Sequence, residues 1–188
     1  MTTKPDRMPV IADADQTPEQ RAAAQTFRTL RDDQPIFGPF VPLHRSPDLM
    51  LRLAPVGDFM RKELVFGVRL AEIAILFTAR RYDQPVEWAI HSQIAAKAGL
   101  PAHVIAALSE DRRPEGMTED EELIWNAVAE IDRSKRLSDR TYAAMTARFG
   151  EKGVVELAAL MGYYQLLATV MNCARTQAPE GPELPKVR

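Results

Sequence analysis

The chain of 188 residues is 46% hydrophobic and 27% charged, an ordinary composition for one globular domain. Its net charge of −2 and pI near 6.0 give no basic field for nucleic acid or an anionic membrane, which leaves small molecules or further copies of the chain as expected partners. The longest strongly apolar run, Leu70 to Ala79, is broken by Glu72 and is shorter than the ~20 residues that cross a bilayer.

Residues 1–17 hold no apolar signal core, and the single Cys173 offers neither an internal disulfide nor a CxxC pair. A cytoplasmic protein is expected.

Helix signals then follow one another along the chain. Residues 1–16 read as a flexible tail, 17–175 as a single all-helical domain and 176–188 as a second tail. Thr17, Pro18 and Gln20 are a cap, a first-turn proline and the return half of a capping box, which predicts a helix over 18–31. Residues 32–44 hold Pro35, Gly38 and Pro42 and read as an ordered loop. Ser46 before Pro47 is expected to cap a second helix running through Leu49, Leu53, Val56 and Met60. The stretch 63–80 is apolar on nearly every side in its second half, the pattern of a central helix.

Gln84-Pro85 opens the next helix, which Gly99 and Pro101 close. A short helix over 101–108 and an exposed loop over 109–117 follow. Thr118 with Glu121 predicts a helix to about 133, and Ser138 caps another that Gly150 stops. A last helix spans about 151–174. The tail from Gln177 carries three prolines and is expected to be loose or to lie on a neighbouring subunit.

Three residues stand out chemically. Glu72 shares a helical stripe with Val68, Ile75, Leu76 and Ala79, where desolvation raises a carboxyl pKa unless a donor or cation compensates. Its bland alternative is an ion pair with Arg69, Arg80 or Arg81. Glu87 and His91 are four apart on one face, so the carboxylate can orient or charge the imidazole. For Glu87 the competing role is a third helical position that favours the helix N-terminus. For His91 it is a satisfied core histidine.

Arg80 and Arg81 end the apolar helix, where cations suit the dipole; as a weaker alternative they grip a substrate carboxylate. His44 and His103 have no metal-ligand spacing with the pair, so no metal is expected. Phosphate-loop, dinucleotide, nucleophile-elbow and zinc-protease signatures are absent, and no cofactor is expected. Met161, Tyr163 and Tyr164 read as packing.

In order, Gly38-Pro39-Phe40, Ser46-Pro47-Asp48-Leu49, Glu72 through Leu76, Glu87 through His91, Ala95 through Leu100 and Gly162-Tyr163-Tyr164 resemble the carboxymuconolactone decarboxylase family over roughly residues 36–175. The resemblance implies an all-α, AhpD-like helical bundle assembled into a symmetric homo-oligomer: a dimer, trimer or hexamer. It also implies a site around Glu72 and His91. The redox branch of that family carries CxxCxxxH; aligned on His91, its cysteines fall on Gln84 and Glu87, so thiol–disulfide chemistry has no nucleophile here. The decarboxylase branch has a glutamate four residues before the histidine, as Glu87 precedes His91. By that likeness Glu72, Glu87 and His91 form the acid–base set of a cofactor-free lyase acting on a small carboxylated lactone such as 4-carboxymuconolactone. A non-catalytic or ligand-binding member with a structural trio is the alternative, and peroxide or thiol redox work by Cys173 a remoter one.

Overall fold

The computed structural model describes residues 5–31 and 33–186; Asp32 and the outer ends of both expected tails, 1–4 and 187–188, lie outside the described residues. Among the described residues the chain is all-α. A short 3-10 turn, Asp13–Asp15, precedes α1 (Pro18–Leu30), α2 (Phe40–Leu43), α3 (Pro47–Lys62), α4 (Gly67–Arg81), α5 (Pro85–Lys97), α6 (Ala102–Ser109), α7 (Glu119–Ser134) and α8 (Asp139–Ala174).

The caps explain where these helices begin. Thr17 and Gln20 form a reciprocal capping box, as do Thr118 and Glu121, so two otherwise orphan amide donors are satisfied at each start. Ser138 accepts from Thr141 N at 3.3 Å. At α3 the expected cap position is correct, but the Ser46 side chain makes no capping bond; its backbone, at φ −127° and ψ 77°, departs from the extended geometry of Thr17, Thr118 and Ser138. Gly150, at φ 70° and ψ 174°, breaks α8 into two arms where a stop was expected.

The second arm makes α8 the one helix among the described residues long and apolar enough to cross a membrane by length and composition. Its most apolar window averages a hydropathy of 1.5 and is half buried in the protein.

α4 is the hub. Leu70 through Leu76, Thr78, Ala79 and Arg80 are all buried, and α3, α5, α6, α7 and α8 pack around it. It starts at Gly67 rather than near residue 63, because residues 63–66 form a turn instead. The buried Glu156 of α8, 91 positions away, takes the Val65 N–H at 2.8 Å there, and Gly67 sits at φ 73°. The loop expected over 32–44 also contains a helical turn, α2, whose four residues are buried. Pro42 is tolerated because first-turn amides have no intrahelical acceptor.

The C-terminal tail lies against its own chain. Arg80 Nη1 donates to Pro185 O at 2.6 Å, Leu184 packs on the core, and Gly181 rests against Ala89 and Gln93 of α5. Prolines set an extended path, but buried Arg80 supplies the donor that fixes it.

α3 carries Pro55 and Gly57 in its interior, and two distant side chains reinforce it. Tyr163 Oη donates to Leu53 O at 3.1 Å, and Arg31 Nη2 donates to Ala54 O at 3.2 Å. Gly57 is required by the first of these: a Cβ there would collide with the Tyr163 hydroxyl. Gly57→Ala is therefore expected to lower the unfolding free energy by ~1–3 kcal/mol, the usual cost of overpacking. A urea titration with an unchanged midpoint would contradict this close approach.

Candidate active site

The turn between α4 and α5 fixes the site. Gln84 Oε1 accepts from Val86 N at 2.8 Å and its amide donates to Asn172 Oδ1 at 2.8 Å, while Asn172 Nδ2 donates to Tyr82 O at 2.8 Å. The start of α5 is thereby bolted to α8, and the helical period carries Glu87 and His91 inward.

On the neighbouring helix Glu72 meets His91 directly. His91 Nδ1 lies 2.9 and 3.1 Å from the two Glu72 oxygens and donates to that carboxylate. Its other nitrogen, Nε2, faces Glu87 Oε2 at 3.4 Å. The Tyr164 ring stands edge-on to the imidazole, with centroids 5.1 Å apart at 89°. Glu72, Glu87 and His91 are only 2%, 3% and 5% exposed, so water screens none of these charges.

The alternative partners of Glu72 are occupied elsewhere. Arg69 pairs with Glu121, Arg80 with Asp83, and Arg81 with Asp111 and Asp132, each of the last two at 3.0 Å. Nor does Glu87 close a capping box at its helix start: Gln84 N donates to Ala79 O instead, and Glu87 Oε1 has no hydrogen-bond partner among the described residues.

These environments set protonation. Burial raises the Glu87 carboxyl, and the Glu72 charge adds to it against the opposing pull of His91. For His91 burial works downward, but the Glu72 charge, its hydrogen bond and the Glu87 charge outweigh it and hold the imidazole above its ordinary value. Burial, with the Glu87 and Glu72 charges, pushes Tyr164 well above the ordinary phenol value, which leaves its hydroxyl a neutral donor. Tyr163, nearer the arginines, is pushed by burial up to about 12.

The sign of the resulting pH dependence follows from linkage. A raised imidazole contributes stability that is complete below its unfolded value of ~6.5 and is lost as pH rises through the folded value. A raised carboxyl likewise makes the native state the tighter proton binder, so stability falls as pH climbs from its unfolded value of ~4.3. Both act in one direction. The urea midpoint is expected to decline as pH rises above ~6.5, and His91→Ala to flatten that decline. A midpoint rising with pH over this range would contradict it.

A cavity of about 280 Å³ opens beside the trio, and Arg31, Phe40, Arg61, Glu87, His91 and Tyr164 are among its walls. Glu72 does not line it: the carboxylate is held against His91 Nδ1. Arg80 and Arg81 do not line it either. Arg80 binds the Ser109 and Pro185 carbonyls, and Arg81 lies over α7. His44 is spent on Gln20 O at 2.8 Å and His103 on Glu115 O at 3.0 Å. Among the described residues no group of three or more His, Cys, Asp and Glu side chains is arranged to hold a metal ion.

The cations that do face the cavity, Arg31, Arg61 and Lys62, carry no sequence signal beyond their place at helix ends. Tyr164 was readable only as packing. No protein-family model matches the chain, and no curated protein is significantly similar to it.

Proposed function

We propose that the protein is an acid–base enzyme of the carboxymuconolactone decarboxylase kind, an AhpD-like bundle that removes carbon dioxide from a small carboxylated lactone. The observation that carries this is His91, clamped by Glu72 on Nδ1 and leaving Nε2 toward a cavity whose wall includes Glu87 with an unpartnered oxygen. What supports the reading over a purely structural trio is that both His91 and Glu87 line that cavity.

In the proposed step the bond from the lactone carbon to its carboxylate breaks and carbon dioxide leaves. The electron pair passes into the conjugated carbonyl as an enolate. The Nε2–H of protonated His91 delivers its proton to carbon, and solvent then restores the imidazolium. The Glu87 carboxyl, which burial pushes toward its neutral form, and the neutral Tyr164 hydroxyl offer hydrogen bonds to the enolate oxygen while charge develops. Glu72 keeps the imidazole oriented and charged, which makes it a positioning residue. Acid–base chemistry of this kind draws on side chains alone, in keeping with a cytoplasmic homo-oligomer whose partner is a small molecule.

The test is carbon dioxide release by the purified protein from 4-carboxymuconolactone and a few related carboxylated lactones. Release above the uncatalysed rate is the expected result. No release from any of them would overturn the decarboxylase reading.

A further inference from the structure

We infer that Arg61 is a specificity-determining anchor: it exchanges Asp58 for a carboxylate of the ligand, while Arg31 keeps Asp58. The anchor is assigned within the cavity read above as the site of acid–base chemistry, and so rests on that reading.

The two arginines are not equivalent. Arg31 is buried and held from several sides: it stacks on the Phe27 and Phe40 rings at 4.8 and 4.6 Å, donates to Ala54 O and lies 3.3 Å from Asp58 Oδ1, while its buried Nε is left without a hydrogen-bond partner among the described residues. Arg61, in the last turn of α3, is half-buried and pairs with that same Asp58 oxygen. One carboxylate oxygen therefore serves two guanidinium groups, and Lys62 adds a third cation to the wall. The Arg61 charge also reaches Glu87, His91, Tyr163 and Tyr164 from this position. A surplus of positive charge at one side of a small cavity selects an anion, and a guanidinium matches a carboxylate best.

The other wall sets what else the ligand carries. Glu87 lines the cavity, and its carboxyl, once protonated, is suited to a carbonyl oxygen. Apolar Phe40, Ile94 and Leu167 line the space as well. A volume of about 280 Å³ is at the small end for ligand pockets and fits one ring rather than a polymer segment. The chemical class is a single-ring carboxylic acid with a carbonyl acceptor.

Binding separates this from catalysis. The probes are γ-carboxy-γ-butyrolactone and the uncharged γ-butyrolactone, titrated into the full chain by ligand-observed NMR. The wild-type protein is expected to prefer the carboxylated ring by ~10-fold or more, the worth of one charge-assisted hydrogen bond. Arg61→Gln should abolish the preference without weakening binding of γ-butyrolactone, and Arg61→Lys should restore part of it. Asp58→Asn removes the competing carboxylate and should tighten binding of the acid.

A purely structural Arg61–Asp58 pair predicts that both Gln and Asn variants loosen binding together. That result, or an unchanged preference in Arg61→Gln, would overturn the anchor. Failure of the decarboxylase reading looks different: carboxylate-selective binding through Arg61 with no carbon dioxide released.

Discussion

Glu72→Ala is expected to lower the unfolding free energy by ~3–5 kcal/mol, the cost of taking one partner from a buried ion pair. That is a large share of the ~5–15 kcal/mol that holds a domain of this kind together. The reason is local. Glu72 lies on the central helix with apolar residues before and after it, and among the described residues His91 Nδ1 has no acceptor but this carboxylate. An imidazole can shed its proton when the carboxylate goes, which places the cost near the lower end of the range, but a buried N–H without an acceptor remains. Glu72→Gln retains an oxygen acceptor of the same shape and should cost distinctly less. Urea titrations at one pH separate the two: equal midpoints for Ala and Gln would mean that the hydrogen bond contributes nothing.

His91→Ala is expected to lower turnover by ~10²–10⁴-fold, the range for a lost general acid or base. Substrate affinity should change much less, since the anchor and the Glu87 donor stand on other residues. The geometry also predicts how the trio combines. Glu72 reaches the cavity only through His91, so Glu72→Gln should slow turnover on its own and add little in the His91→Ala background. Multiplying penalties in the double variant would mean that Glu72 acts on the substrate independently, against the positioning role. Turnover that survives His91→Ala would remove the imidazole from the chemistry altogether.

Much of the scaffold was legible because helix starts announce themselves locally. Thr17, Thr118, Ser138 and Gln84 mark their positions by side-chain chemistry within three residues, and Gly99 and Gly150 mark breaks by their left-handed backbone. The burial of Glu72 was legible for the same reason, since one helical period surrounds it with apolar neighbours.

What escaped depends on contacts distant in sequence. The turn over 63–66 is held by Glu156. The path of the tail is held by Arg80, and α2 is a buried four-residue turn too short for a periodic signal. The site divides in the same way. Glu87 and His91 were joined by spacing, but Glu72 and His91 lie on different helices and only packing brings them within 2.9 Å. Arg31 and Arg61 look like any cations at helix C-termini, and nothing local says that Asp58 gathers both beside a cavity. Arg80 and Arg81 show the converse: the same end-of-helix pattern, turned away to hold backbone and acidic partners.

The most direct test is an NMR titration of the His91 ring in the ligand-free protein, compared with the same titration of Glu72→Gln. A proton donor held between Glu72 and Glu87 should titrate above the ordinary imidazole value of ~6.5 in the wild-type protein and fall back when the Glu72 charge is removed. A wild-type midpoint at or below the ordinary value, unmoved by Glu72→Gln, would mean that His91 is a neutral core histidine and not the acid of this site.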